Sequence, residues 1–559
     1  METETTTYAL PCADSQPRSG SRRAGAALLT LLCLLLYLPG IISLPPFDRD
    51  EARYAQASKQ MLESGDYTRI FFQDMPRHKK PVGIYWLQAA SASLFDSSSS
   101  RHIFFFRLPS VLAAIASVLL FYCLCLRFYE SSVAFAASAM LASTTTLVAE
   151  AHLATTDAAL LLCSVACLMP LTLAWHERPK RQGWLHFFLM WAGLGAGILI
   201  KGPVLPGVFV LCVVSLGWCA RSLRWITALR PIAGIFLAAL IALPWFLIID
   251  SQTGGSFLHD SFSGDILPKF AGVQESHGGF PGYYLLSSVI SFWPWSFLLA
   301  PAALLAWTRR KEPPTAALLC WLIPSWLLLE FVPTKLPHYT LPLFPPLTLL
   351  CSMALMGPRQ FLQNWPARVS LVLWTLAGLL LALAIPGMPW YFDGEASLAK
   401  VAMLLIAATL LSVFVKSWIR DPSCIGASLA LLAGLWVFTG VFGWMLPGLK
   451  AFWASERLHE TVLKADPLRK AQIVAAGFSE PSFVFLAGTT TRLAEGKVAA
   501  EVFKDACPAV ALVSAREKQA FESEMPGVQA APLSDRVFNY SRGKWLEIFH
   551  YVKFECPEK

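Results

Sequence analysis

Thirteen long apolar runs, each bounded by charge or a turn, constrain this chain more than any other feature. A helix needs about 20 mostly apolar residues to cross a bilayer. Uncharged stretches of that kind lie at residues 24–47, 108–126, 131–149, 158–175, 183–200, 202–220, 231–249, 283–308, 313–329, 339–358, 369–392, 401–415 and 423–449. Charged residues make up only 15% of the 559 and hydrophobic residues 55%. A soluble globule carries roughly 25% charged residues, so a string of soluble domains is excluded. The first run is too long, and too poor in small residues at its end, to be a removable signal peptide.

The connections test the count. Alternate loops hold Arg18/Arg22/Arg23, Arg127, Arg178/Lys180/Arg181, Arg221/Arg224/Arg230, Arg309/Arg310/Lys311, Arg359/Arg368 and Lys416/Arg420. By the positive-inside rule these face the cytoplasm, the N-terminal tail 1–23 among them. The other connections then face outward, including 45–107, 250–282, 386–398 and the tail 450–559. The net charge of +8 sits in these short clusters, which reads as membrane topology and not as nucleic-acid binding.

The tail is built differently from the rest. Residues 472–476 and 509–513 read as buried strands, and 481–488 and 515–524 as helices. The expected fold is a polytopic α-helical membrane protein. It has about thirteen spans (24–449), helices on the outer membrane interface, and a C-terminal α/β domain (450–559). The interfacial helices fall at 51–64 and 81–95, where packing against the bundle is the equal alternative. Most cysteines lie within spans and act as small apolar residues. Cys507 and Cys556 lie in the tail, where a disulfide and two free thiols are both compatible with the sequence.

Ionisable residues near a membrane are costly and mark function by default. Here they gather at one end of the predicted bundle. Asp50, Glu51, Arg53 and Tyr54 follow the first span. His78, Lys79 and Lys80 lie deeper in that loop. His152 and Asp157 lie on an outward turn, Lys201 on a Lys-Gly-Pro break, and Lys335, His338 and Tyr339 on another outward turn. His259, Asp260, Lys269 and His277 lie in the loop 250–282. Carboxylates mixed with several cations at one depth suit a phosphate or pyrophosphate group beside one catalytic acid. A transport path would place its charges on broken helices near the midplane.

The order of these motifs carries a resemblance. Asp50-Glu51-Ala52-Arg53-Tyr54-Ala55 is followed by Gly65-Asp66-Tyr67 and by His78-Lys79-Lys80-Pro81-Val82-Gly83-Ile84-Tyr85-Trp86. Then come Thr156-Asp157, Lys201-Gly202-Pro203, Gly282-Tyr283-Tyr284-Leu285, Pro294-Trp295 and Lys335-Leu336-Pro337-His338-Tyr339-Thr340-Leu341-Pro342. Asn539-Tyr540-Ser541-Arg542-Gly543-Lys544-Trp545 closes the series. The chain resembles the bacterial polyprenyl-phosphate-sugar transferases of the aminoarabinose–lipid A type, which group with the protein O-mannosyltransferases in the GT-C superfamily.

That resemblance implies a sugar donor on undecaprenyl phosphate and a site on the periplasmic face of the inner membrane. It further implies lipid A or lipopolysaccharide as acceptor, and a monomer without cofactor. Asp50 matches the family's catalytic carboxylate, with Glu51 beside it, and Asp157 matches a second active-site acid. Arg53, Tyr54, Lys80, Lys201, Lys269, Lys335 and Tyr339 are the candidates to hold the lipid phosphate, and His78, His259, His277 and His338 stand beside the site. Lys269 replaces the usual Arg, losing the bidentate fork but keeping the charge. Transfer to Ser/Thr of exported proteins is the alternative acceptor, and a polyprenyl-linked-sugar transporter the alternative class.

The histidines have no ligand spacing of a metal site, and cations beside Asp50 and Asp157 would repel a divalent ion. Transfer by purified protein is therefore expected to persist in excess EDTA. Turnover lost on chelation and restored by one particular divalent ion would overturn this.

Overall fold

A computed structural model describes residues 19–95, 101–177, 183–266, 278–525, 527 and 534–554. Every apolar run becomes helical, but not every one becomes a full span. Among the described residues, ten helices are long and apolar enough to cross a membrane. They include α1 (Ser19–Tyr37). The run 131–149 folds as a bent pair turning 58° between Ser131–Ala142 and Thr145–Ala151. Two runs give shorter apolar helices, Val204–Ala220 and Ser296–Thr308. At 1.5 Å per residue these fall short of the ~30 Å hydrocarbon core. The expected thirteen spans thus become ten long ones, one bent pair and two short ones.

The two broken runs repair each other. Non-helical backbone at membrane depth must find partners inside the protein. At the bend, the Thr145 amide donates to the Trp293 carbonyl at 2.8 Å, and the Thr145 hydroxyl donates to the same oxygen at 3.0 Å. Thr146 Oγ1 reaches the Ser291 carbonyl at 3.0 Å, and Trp295 Nε1 donates to Ser143 Oγ at 2.8 Å. The bend carries the chain into the turn that ends at Asp157, the first residue of the helix Asp157–Glu177.

Between the first two spans, α2 (Asp50–Ser64) and α3 (Gly83–Phe95) flank a short hairpin of β1 (Phe71–Phe72) and β2 (Met75–Pro76). α2 is packed on both faces. Tyr54, Ala57 and Met61 join the bundle core. Its polar face is covered too: Gln56 Nε2 donates to Thr489 Oγ1 at 2.8 Å, and Lys59 is buried with Nζ 3.4 Å from the Phe485 carbonyl. The cover is the C-terminal domain, so packing, the alternative to an interfacial position, holds for α2.

One buried ion pair ties this region down. Arg107, from α4 (Ile103–Cys125), and Glu51 of α2 are both buried. Arg107 Nε and Nη2 each donate to one Glu51 oxygen at 2.8 Å. The other guanidinium hydrogens reach the carbonyls of Ile41, Leu44 and Pro45. Glu51 also accepts from the amides of Phe47 and Ala154, each at 2.8 Å. All five guanidinium donors and about four carboxylate acceptor sites are used.

The C-terminal domain is a five-stranded mixed sheet in the order β4-β3-β5-β7-β6. The strands are β3 (Gln472–Ala476), β4 (Arg492–Ala494), β5 (Ala509–Ser514), β6 (Asp535–Asn539) and β7 (Lys544–Lys553). β3 pairs parallel with β4 and β5, while β7 runs antiparallel to β5 and β6. The crossovers β3-to-β4 and β4-to-β5 run in opposite directions across the sheet. The right-handed rule then puts their helices on opposite faces. Phe483 of the first packs with Ala475, Val510 and Leu512, and Phe503 of the second with Val474, Ala511 and Val513. Both expected strands are present, and the expected helices appear as Pro481–Ala487 and Lys518–Ser523. Cys507 is disulfide-bonded, and Cys556 lies outside the described residues.

Removing one partner of a buried ion pair leaves the other charge uncompensated, at a cost of about 3–5 kcal/mol. Arg107→Met should therefore lower the unfolding temperature of detergent-purified protein sharply. A variant as stable as the parent would show that the pair is not what holds the loop.

Candidate active site

Four helix ends meet at the end of the bundle that carries the C-terminal domain. α2 begins there with Asp50, and Asp157 opens its helix there. Lys201 is the last residue of Trp184–Lys201, and His338 and Tyr339 lie in the 3-10 turn Pro337–Leu343. Helix ends place these side chains because the Lys-Gly-Pro and Leu-Pro sequences that follow or precede them cannot continue a helix.

Asp157 and Lys201 form the tightest contact, Nζ to Oδ1 at 2.6 Å, both nearly buried. The Lys201 ammonium also stands 5.1 Å from the centre of the Tyr339 ring. His338 bridges two carboxylates, with Nδ1 3.6 Å from Glu150 Oε1 and Nε2 4.0 Å from Asp157 Oδ2. Glu150 is buried and accepts from Thr155 Oγ1 at 2.5 Å. Asp50 is far more open, with 61% of its side chain exposed, and Arg53 Nη1 lies 4.0 Å from its Oδ1. It lies within electrostatic range of Glu150 and Tyr54.

Tyr54 is buried beside Tyr85, and the Arg77 guanidinium lies 5.3 Å from its ring centre. Burial, with the Asp50 charge adding to it, holds the Tyr54 phenol well above its ordinary pKa, so it stays protonated. A cleft of about 320 Å³ opens next to this layer, lined by Arg53, Arg77, His78, Lys79 and Asp260 among others. His78 Nδ1 sits 2.9 Å from Asp260 Oδ2, and His259 reaches the other Asp260 oxygen at 3.3 Å. These hydrogen bonds, that from His78 first, hold the Asp260 carboxyl below the usual carboxylate range. Lys80 follows in the same loop, half-buried.

Two expected site residues are occupied elsewhere. Glu51 is saturated by Arg107 and two backbone amides, so it has no oxygen left for a substrate. Lys335 is buried: its ammonium donates to the Glu330 carbonyl at 2.6 Å and the Leu329 carbonyl at 3.2 Å, and pairs with the Glu330 carboxylate at 3.6 Å. It fastens its own turn and is not offered to a ligand. His152 is likewise structural, bonded to the carbonyls of Val148 and Pro39. Lys269 and His277 lie outside the described residues.

Sequence reading missed Glu150, Arg77 and Arg107. Each had a signal: Glu150 is a carboxylate at the edge of an apolar run, seven residues before Asp157. Arg77 adjoins the His-Lys-Lys motif, and Arg107 begins an apolar run. Arg107 and Glu150 flank predicted spans, and Arg77 lies inside the outward loop 45–107.

Residues 79–248 match the family model described as dolichyl-phosphate-mannose-protein mannosyltransferase. The chain is 31% identical over 428 residues to the undecaprenyl phosphate-alpha-4-amino-4-deoxy-L-arabinose arabinosyl transferase of Erwinia tasmaniensis, covering 73% of this chain and 76% of that one. It is 30% identical over 447 residues to the protein of the same name from Pseudomonas aeruginosa, covering 80% and 75%. The fold superposes on the crystal structure of ArnT from Cupriavidus metallidurans bound to undecaprenyl phosphate with a TM-score of 0.75. That match covers 97% of this chain and 100% of the other at 17% identity. The apo form of the same protein superposes with a TM-score of 0.74. The resemblance seen in the motifs thus extends to sequence and fold along most of the chain, which belongs to the undecaprenyl phosphate-4-amino-4-deoxy-L-arabinose arabinosyl transferase family of membrane glycosyltransferases.

Proposed function

We propose that this protein transfers an aminoarabinose-like sugar from undecaprenyl phosphate to lipid A at the periplasmic face of the inner membrane. The observation that carries the reading is the meeting of an open carboxylate, Asp50 beside Arg53, with the Asp157–Lys201–Tyr339 group at one end of the bundle. The names of the two relatives support the choice of donor. The basic loops such as Arg309/Arg310/Lys311 fall on the opposite side by the helix alternation, which supports an outward-facing site.

The chemistry follows from the charges. The sugar's anomeric C–O bond to phosphate breaks, and its electron pair leaves with undecaprenyl phosphate. A new C–O bond forms to the acceptor. Arg53, Lys80 and Lys201, with the Tyr339 hydroxyl, stabilise the phosphate as charge grows on it. Asp157 holds Lys201 in place and does not touch the reacting atoms. Asp50 takes the proton of a hydroxyl acceptor. With a phosphate acceptor the nucleophile is already ionised, and Asp50 orients it. Glu51 and Lys335 belong to the scaffold.

Lipid A from cells with and without the gene, compared by mass spectrometry, tests the acceptor. A sugar found on Ser/Thr of exported proteins, with lipid A unchanged, would replace this reading with the mannosyltransferase-like one. Asp50→Asn should leave a folded protein with turnover reduced roughly 10²-fold or more. Arg53→Ala and Lys80→Ala should instead weaken donor binding, about tenfold each, through a lost charge-assisted contact. Lys335→Met separates scaffold from site: it should lower thermal stability and leave the donor affinity of the folded fraction unchanged. Donor affinity lost in that variant would return Lys335 to the phosphate group.

A further inference from the structure

Asp50 begins its helix from a strained residue. Arg49 has φ 65° and ψ −106°, a region that non-glycine residues rarely enter. Such backbone is costly and persists only where its surroundings over-determine it. On one side the restraint comes from the bundle, through Arg107, Glu51 and the carbonyls of Leu44 and Pro45. On the other side it comes from the C-terminal domain, about 490 residues away along the chain.

Two segments of that domain reach residues 48 and 49. The Asp48 amide donates to Tyr540 Oη at 2.5 Å. Arg49 Nη2 donates to the Ser541 carbonyl at 2.5 Å. Ser482 donates to the Asp48 carboxylate, and its hydroxyl lies 2.5 Å from Ser455 Oγ.

The turn that carries Tyr540 and Ser541 is itself rigid. The Tyr540 ring stacks on Phe452 at 4.5 Å with the planes 4° apart, and meets Trp453 edge-on. Asn539 Nδ2 donates to Glu480 Oε1 at 2.8 Å, and Arg542 reaches Ser479 Oγ at 3.0 Å. The domain therefore grips the two residues immediately before Asp50.

We propose that the turn between β6 and β7 is a positioning element of the active site. Tyr540 and the Ser541 carbonyl hold Asp48 and Arg49, and thereby set the direction in which Asp50 leaves the start of α2. The inference rests on Asp50 acting at the reacting centre. A change of one backbone torsion at residue 49 would swing the Asp50 carboxylate, and a misplacement of ~1 Å can cost about 10²-fold in rate. A docking contact without this role would affect stability and leave turnover alone.

The test is steady-state transfer by purified full-length protein, from undecaprenyl-phosphate-linked aminoarabinose to lipid A, alongside thermal unfolding. Tyr540→Phe removes the hydroxyl and keeps the ring stack. Arg49→Ala removes the donor to Ser541, and Arg49→Lys restores a cationic one. In Tyr540→Phe and Arg49→Ala, kcat should fall about tenfold or more while donor KM stays within about twofold. Arg49→Lys should recover much of the loss. If Tyr540→Phe fails to fold, the Arg49→Ala and Arg49→Lys pair decides. Parent-level kcat in both variants, with Asp50→Asn inactive, would overturn the positioning role alone. A rise in donor KM with kcat unchanged would overturn it as well, by making the turn part of donor binding. Full turnover in Asp50→Asn would remove the catalytic reading of Asp50 and this inference with it.

Discussion

The buried Arg107–Glu51 pair is the contact on which the site depends. Taking a guanidinium and a carboxylate out of water costs several kcal/mol per ion, offset only when geometry and hydrogen bonding are nearly complete. Here they are: Arg107 spends its remaining donors on the carbonyls of Ile41, Leu44 and Pro45, and Glu51 takes the amides of Phe47 and Ala154. One pair thus fixes where the first span exits, where α2 starts and where the turn before Asp157 lies. Asp50 and Asp157 come from chain segments more than 100 residues apart, and this pair sets both in one frame.

The charges at this end of the bundle divide into two kinds. Glu51, Arg107 and Lys335 are buried, Glu330 is nearly so, and all four are supplied with partners from their own surroundings. Glu330, for instance, accepts from the amides of Gly282 and Tyr284. Asp50, Arg53 and His338 keep part of their side chains open. Groups of the first kind can shape a cavity but cannot turn toward a substrate without breaking what they hold. Lys201 stands between the two kinds, paired with Asp157 yet facing Tyr339, so its charge is fixed in place without being hidden.

Much of this was legible in the sequence, for identifiable reasons. Apolar runs and their flanking charges report the bilayer, a uniform solvent, so the helix order along the chain could be read directly. β3 was found at its observed limits because a parallel strand buried on both faces is continuously apolar. The polar face of α2 suggested water or lipid headgroups, because its true cover, Phe485 and Thr489, lies more than 400 residues downstream. Lys335 read as a ligand for phosphate because sequence does not reveal that the Leu329 and Glu330 carbonyls fold back onto its ammonium. Arg107 and Glu150 were lost for the opposite reason: a lone charge beside an apolar run looks like the end of a span.

The mutual repair of the two broken runs also bears on how the protein is made. Thr145 and Trp293, whose hydrogen bond closes the bend, are 148 residues apart. At a synthesis rate of roughly 5–20 residues per second, the second emerges about 7–30 s after the first. For that interval the Thr145 amide lacks the carbonyl that accepts it in the finished bundle. The hydrogen bonds that close the bend can therefore form only after the second half of the bundle has been made.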